Sequence, residues 1–473
     1  MKHNVKIFST LSQKKETIKP IKGKRINLFV CGPTVYDYSH LGHARNYIIF
    51  DAFAKYLKSI GFDVFYLQNI TDIDDKIIVR AREREVSPKD LALAFEKEYL
   101  KDMKGLGITS VSKYARATSY IKEIISQVKR LQEKGYAYTI EGDGIYYDIA
   151  KFKNYGKLSG RTVLQAEDAV TRIDYSKDKR NRGDFCLWKF KQESSEPSWP
   201  APFGEGRPGW HIEDTAITEK FFGSQYDIHG AARDLIFPHH EAEIAQMEAL
   251  SGKRPMAKYW MHVGFLTVNG QKMSKSLNNF ITIADILNRC SVENLRFLVV
   301  KNLWRSPVDY SESALMEVKS TSEKIEEFLR KIRNLKDVKI DRKQQGKNQK
   351  LIEKAVKDFY AELDDDFNTP KALAVLFEFI KTINQLLTED NLSKKEANQI
   401  YKFFEDINNI FGIINFKKVK QTIPAGIKKL AKDRENFRKN QEWDKADQAR
   451  KEIEKQGYVI EDTVGHETRI RRF

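Results

Sequence analysis

At 473 residues the chain is too long for one compact core and suits two to four domains, and its 41% hydrophobic content is enough to pack them. No stretch approaches the ~20 apolar residues that cross a bilayer, and the polar opening Met1–Pro20 lacks the apolar core of a secretion signal, so a cytoplasmic protein is expected. The 82 Lys+Arg against 66 Asp+Glu leave a formal charge of +16, which favours a polyanionic partner without naming one.

In chain order, Arg25–Cys31 (RINLFVC) is a β-prone run that ends at Gly32-Pro33. A helical pattern follows from about Leu41 to Leu57, and then a second strand-like run, Asp63–Ile70. Strand, loop, helix and strand predict a βαβ unit with a parallel sheet. Ligands of such sheets gather at the carboxyl ends of the strands, so the loops after Val30 and after Ile70 are expected to face one cleft. From Ser112 to Pro202, polar segments surround short patches such as Gly144–Tyr147, and an insertion between two halves of the sheet domain is expected. From Gly209 to Leu303 the chain again offers a strand (Trp260–Val268) and helices (Glu241–Leu250, Ile283–Leu287, Val292–Val300).

Beyond Asp309 the pattern is helical and charged, through Glu317–Leu335, Gln349–Leu363 and Lys371–Leu387, with Lys336–Lys350 expected as an exposed connection. Ile423–Phe473 opens with basic amphipathic helices and closes with a strand-like Gly457–Ile460 and a basic tail, Arg469–Phe473. The cysteines, Cys31, Cys186 and Cys290, are too few and too scattered for a disulfide framework.

Two short strings carry chemistry. His40-Leu41-Gly42-His43 stands where the loop after the first strand becomes a helix. The two histidines, at i and i+3, leave the same side of a first turn whose free N–H groups and dipole attract anions. Gly42 leaves room for a nucleotide to approach the backbone. Lys272-Met273-Ser274-Lys275-Ser276 lies far downstream in a loop able to follow charge developing on a triphosphate. Alone, the first is compatible with helix capping and the second with a solvated lysine loop.

In this order the pair resembles the signatures of class I aminoacyl-tRNA synthetases. Phe29–Asp37 (FVCGPTVYD), Asn69–Lys76 (NITDIDDK), Gly206–Glu213 (GRPGWHIE), Asp227–Gly230 and Phe237–Glu243 (FPHHEAE) narrow the resemblance to the cysteinyl-tRNA synthetase family, from about residue 22 to 310 and more loosely beyond. The resemblance implies ATP-dependent activation of L-cysteine to its adenylate and transfer to the 3′ end of tRNA-Cys. That chemistry proceeds by positioning and charge stabilisation, without an enzyme nucleophile. It implies an α/β fold: a Rossmann-like parallel-sheet catalytic domain in two halves (1–111 and 205–309), a connective insertion (112–204), a helical bundle (310–420) and a small anticodon-binding domain (421–473).

Residue by residue, the resemblance places His40 and His43 on the phosphates and the transition state, with Gly42 beside the nucleotide. Lys272, Ser274 and Lys275 fall on the triphosphate, which brings Mg2+. Gly32, Thr71, Trp210, His229 and Asp234 fall on the substrate cysteine, Asp234 against its ammonium and Trp210 as a wall. One zinc ion falls on Cys31, Asp214, His239 and Glu243. The spacing of His239 and Glu243, i and i+4, independently puts two ligands on one helix face, and Pro238 suits the first turn of that helix. The family more commonly has cysteine where this chain has Asp214; zinc binding is still expected, at a harder site with one protein thiolate.

Arg434, Arg438 and Arg450 are candidates for tRNA phosphates and Trp443 for base stacking. The segment Glu467–Arg472 departs from the family, which often ends in a tryptophan beside arginines. A monomer is expected. Two other readings are weaker. A cysteine ligase acting on an amino sugar, of the mycothiol type, would not need residues 311–473, and an inactive tRNA-binding relative would not need both signatures intact.

Overall fold

Two strands set the frame. β3 (Arg25–Val30) and β4 (Asp63–Ile70) lie side by side, and every residue of β4 from Tyr66 to Ile70 is buried. Continuous burial of that kind belongs to a parallel sheet covered on both faces. The computed structural model describes residues 3–161, 176–273, 277, 279–420, 424–462 and 468–472. They fall into two units, Met1–Ile414 and Asn415–Phe473.

In the first unit, β5 (Lys113–Arg116), β10 (Tyr226–Ala232) and β11 (Ala257–Val263) complete a five-stranded parallel sheet in the order β11-β10-β3-β4-β5. The chain leaves β3 through the helix Leu41–Ser59 toward β4, whereas β10 joins on the opposite side of β3. The strand order therefore reverses at β3, and the crevice at the carboxyl ends of β3 and β10 is where such a sheet binds ligands. The loops after β3 and β4 do share that cleft, since Thr34 bridges Thr71 in parallel and Thr71 N donates to Pro33 O at 3.1 Å.

Between β5 and β10 stand the helix Ile121–Glu133 and a four-stranded antiparallel sheet, made of β6 (Ala137–Ile140), β7 (Gly144–Tyr147), β8 (Phe185–Phe190) and β9 (Gly206–Pro208). The helix Ile212–Phe222 packs on Ile121–Glu133 and leads back to the parallel sheet.

The strand expected over Trp260–Val268 is two strands, β11 and β12 (Leu266–Val268), broken at Gly264-Phe265. A Cβ on Gly264 would stand 2.3 Å from the Ser306 carbonyl oxygen, so the backbones touch there and the chain turns into a second sheet. That sheet has the order β13-β12-β14, with β13 at Gln271–Lys272 and β14 at Val308–Tyr310. A hairpin, β1 (Lys6–Ser9) and β2 (Lys14–Thr17), seats on the β11 edge through Thr10 N and Trp260 O, 2.9 Å apart.

Four long helices, Glu312–Asn334, Arg342–Asp364, Thr369–Thr388 and Lys394–Phe411, follow and bury Phe328, Phe359, Phe403, Phe404 and Phe411. The connection expected over Lys336–Lys350 is shorter. Asp341 accepts from Gln344 N at 2.8 Å and starts a helix at Arg342, and the Lys and Gln residues that looked like loop are good helix formers. Arg296 ties the bundle to the sheet domain, bonding Phe411 O (2.6 Å), Leu106 O (3.0 Å) and Asp51 Oδ2 (2.8 Å).

The second unit packs helices Ala425–Lys439 and Trp443–Lys455 and a hairpin, β15 (Tyr458–Asp462) with β16 (Thr468–Arg472), around Ile427, Ala431, Ile453 and Ile460. Arg434 is buried on the inward face one turn beyond Ala431, whereas Arg438, Arg450 and Trp443 are exposed. No described helix is long and apolar enough to cross a membrane.

Candidate active site and metal centre

The helix Leu41–Ser59 begins with a cap built from the two signature histidines. His40 is the N-cap residue; its Nδ1 accepts from Gly42 N–H at 3.1 Å, and His43 Nδ1 accepts from His40 N–H at 3.3 Å. The rings stack with centroids 3.8 Å apart at 20°. With each Nδ1 accepting a hydrogen bond from a backbone N–H, each ring's own proton sits on Nε2. Burial lowers His40 to about 4, and burial with the His40 charge lowers His43 well below its ordinary value. The site therefore presents two neutral N–H donors at a helix N-terminus, a place that favours phosphate.

The described residues on either side of the downstream lysine loop meet the same turn. Lys272 is exposed on β13, while Ser274, Lys275 and Ser276 lie outside the described residues. The chain after the loop is stitched to the histidine turn: Leu41 N donates to Ile281 O, Ile283 N donates to Ser39 O, both at 3.0 Å, and His40 bridges Thr282. The Phe280 ring meets the His40 ring edge-on at 5.4 Å. A Cβ on Gly42 would meet the His40 ring at 3.0 Å and the Met273 methyl at 3.9 Å, so glycine keeps this corner open.

At the carboxyl ends of β3 and β4 the backbones almost touch. A Cβ on Gly32 would sit 1.7 Å from the Asn69 carbonyl oxygen, and Gly32 N donates to Asn69 Oδ1 at 2.5 Å. Thr71 is buried and its hydroxyl donates to Glu213. Trp210 stacks on His239 at 4.5 Å and 26°, with the Lys76 ammonium 5.7 Å above its ring. His229 stacks on Trp260 at 4.2 Å and shares a 2.7 Å contact with the Tyr226 hydroxyl. Asp234 is exposed on the short turn Arg233–Ile236 and is not gathered with these buried groups.

Beneath this pocket Cys31, Asp214, His239 and Glu243 are all buried, and their donor atoms lie within 4.8 Å of one another. Cys31 leaves the end of β3, Asp214 sits in the first turn of Ile212–Phe222, and His239 and Glu243 share one face of His239–Ser251. His239 Nε2 lies 3.0 Å from Asp214 Oδ2 and 2.9 Å from Glu243 Oε1, the latter at ion-pair distance without the geometry of a hydrogen bond.

Burial, then the charges of Glu243 and Asp214, push the Cys31 thiol up. Burial, opposed by His239, pushes Glu243 up to about 7. Burial works against a charge on His239, yet Glu243 and Asp214 hold it up at about 10. Asp214 Oδ1 and both Glu243 oxygens are buried without a hydrogen-bond partner. A thiol, an imidazole and two under-satisfied carboxylates converging in the interior form a site for a divalent cation.

Further residues complete the centre. His229 Nε2 and His240 Nε2 stand 3.4 and 3.2 Å from Cys31 Sγ, His240 Nδ1 meets His262 Nε2 at 2.8 Å, and His211 Nδ1 meets His239 Nδ1 at 2.8 Å. Five of the chain's nine histidines thus gather at this centre, with His229 and His240 in direct contact with the Cys31 thiol. Cys31, His229, His240 and Glu243 form a second set of converging donors that shares two members with the first. His211, His240, His262 and Glu213 were not among the sequence candidates. The doublet His239-His240 and the string Gly206–Glu213, which holds His211 and Glu213, hinted at three of them, whereas nothing marked His262.

Residues 17–320 match the family described as tRNA synthetases class I (C) catalytic domain, and residues 358–415 match the DALR domain. The chain is 44% identical over 470 residues to a cysteine–tRNA ligase of Thermococcus gammatolerans, covering 97% of each chain. It is 43% identical over 459 residues to one of Thermoplasma volcanium, covering 96% of this chain and 97% of that one. Among solved structures, Mycobacterium tuberculosis methionyl-tRNA synthetase in complex with methionyl-adenylate aligns with a TM-score of 0.60 at 14% identity, over 82% of this chain and 90% of that one. A leucyl enzyme of Agrobacterium radiobacter, in a ternary complex with tRNA, aligns at 0.62 and 11%, over 84% and 85%. At such identities the structural likeness speaks for the fold alone.

Proposed function

The chain belongs to the cysteine–tRNA ligase family of class I aminoacyl-tRNA synthetases, with ATP, an amino acid and tRNA as substrates, and we propose that a zinc ion on Cys31, Asp214, His239 and Glu243 selects L-cysteine for attachment to tRNA-Cys. What carries this reading is a buried S, N, O, O donor set in the crevice where the strand order reverses, beside the strand that leads into the capped histidine turn. An amino sugar as acceptor is not favoured, because the match to cysteine–tRNA ligases runs over 97% of the chain and residues 358–415 match the DALR domain.

The cysteine carboxylate attacks the α-phosphate of ATP, which enters as its Mg2+ complex, and pyrophosphate leaves. His40 and His43 donate Nε2–H bonds to the phosphate oxygens, aided by the positive end of the dipole of the helix they begin. Both rings stay neutral around pH 6.5, so the donors carry no change of charge there. Lys272, with Ser274 and Lys275, draws the triphosphate toward them. Zinc would supply a soft, strongly polarising contact that the thiolate of cysteine satisfies and the poorly ionised hydroxyl of serine does not. Trp210 and Thr71 wall the side-chain pocket.

The test is amino-acid-dependent ATP–pyrophosphate exchange with metal-free and zinc-loaded protein. Exchange with cysteine only after zinc addition, and little with serine in either state, is expected. Equal exchange with and without metal overturns the zinc reading.

A further inference from the structure

Arg45 lies five residues beyond His40 on the same helix and is 1% exposed. Burial lowers its guanidinium to about 10, so it remains charged at neutral pH. Its Nη1 donates to Gly264 O at 2.7 Å and to Phe265 O; its Nη2 donates to Trp304 O at 3.3 Å and to Ser306 O. These four acceptors are all backbone carbonyls, and they mark the two places where the chain enters the three-stranded sheet: just before β12 and just before β14.

That root is closely built. Gly264 N donates to Trp304 O at 3.0 Å, Val308 N donates to Phe265 O at 2.9 Å, and β12 pairs with both β14 and β13. β13 ends at Lys272, the first residue of the lysine loop. The far end of the loop is already fastened to the histidine turn through Ile281 and Thr282. The near end is fastened by Arg45, so one helix holds both ends of the segment that carries Lys272. A planar fork can span two pairs of carbonyls at once, which a lysine ammonium cannot do.

We infer that Arg45 is a positioning residue for ATP activation, fixing the root of the lysine-bearing hairpin so that Lys272 and the His40–His43 pair converge on one triphosphate. The inference rests on the reading of Lys272 as a triphosphate ligand. It separates the two substrates: Cys31, Thr71 and His239 stand just after β3, just after β4 and on the helix His239–Ser251, and none of the carbonyls held by Arg45 belongs to those elements. A loosened root should therefore damage ATP use and spare cysteine and metal binding.

The experiment compares Arg45→Lys and Gly264→Ala with wild type by ATP–pyrophosphate exchange, normalised to bound zinc. Gly264→Ala is the second route to the same perturbation, since it pushes the root apart at Ser306 while leaving the guanidinium in place. Misplacement by about 1 Å costs on the order of 100-fold. Each variant is thus expected to lose about 100-fold in kcat/KM for ATP, with KM for cysteine, zinc stoichiometry and transfer from preformed adenylate to tRNA within about threefold of wild type. An unchanged ATP term in either folded variant, an equal loss in the cysteine term, or failure of both variants to fold overturns the inference and leaves Arg45 a purely structural residue. If wild type itself shows no cysteine-dependent exchange, the functional reading fails first, and the two failures are told apart.

Discussion

Gly32→Ala strikes the amino-acid pocket through backbone geometry alone. The added Cβ would lie 1.7 Å from the Asn69 carbonyl oxygen, about half an ordinary contact distance of 3.4 Å. The ends of β3 and β4 must then separate by more than 1 Å, or the chain must twist at Gly32, and Cys31 and Thr71 lie on the segments that move. Overpacking of this kind costs about 1–3 kcal/mol of stability, which a unit of this size tolerates. A displacement above 1 Å at the reacting end of a substrate costs on the order of 100-fold. Measured by pyrophosphate exchange, kcat/KM for cysteine is expected to fall about 100-fold or more while KM for ATP, read at the histidine turn, changes by less than about threefold. A folded Gly32→Ala protein with a cysteine term within threefold of wild type would refute the reasoning.

Other perturbations test other parts of the site. Asp214→Cys adds a second thiolate and is expected to tighten zinc at least tenfold in a chelator competition, while Asp214→Ala removes a ligand and weakens it by a similar factor or more. His40→Asn keeps a capping oxygen but loses the phosphate donor, so exchange kcat is expected to fall about 100-fold with little loss of stability at pH 7. His40 titrates near 4 when folded and near 6.5 when unfolded, so the unfolded chain binds the extra proton between these values. Stability from this group is present above pH 6.5 and is lost as pH falls toward 4, by at most about 3 kcal/mol, and urea titrations of His40→Asn should show a correspondingly flatter slope in that window. Arg296→Leu strands Asp51 in the interior with Lys55 as its remaining ion-pair partner and is expected to cost about 3 kcal/mol or more, read by thermal denaturation.

The parts of the fold legible in the sequence are those fixed by local pattern. Arg25–Val30, the helix from Leu41 and Asp63–Ile70 are apolar runs separated by turn residues, and each forms where its pattern puts it. The hairpin β1–β2 was illegible because KIFS and KKET carry little apolar signal; the β11 edge holds it in place. The break at Gly264 was likewise invisible, since it depends on the Ser306 backbone, forty-two residues later in number, arriving at the same point.

At the site, His239 and Glu243 could be paired from their spacing, whereas Cys31 and Asp214 joined them only through the family resemblance. His262 is two residues from Trp260 on a strand whose residues are nearly all buried, so alternation could not mark it out, and only the sheet order brings it beside His240. Arg434 shows the converse. A basic residue on an amphipathic helix suggested a phosphate contact, but its register with Ala431 and Ile427 turns it inward.

The account is tested most directly by charging a tRNA transcript with a GCA anticodon, with cysteine and serine run side by side and zinc quantified on the same protein. Cysteine charging, serine excluded by at least a hundredfold, and about one zinc per chain is the predicted result. Adenylate formation without transfer to the transcript, or charging that proceeds equally well with serine, would contradict it.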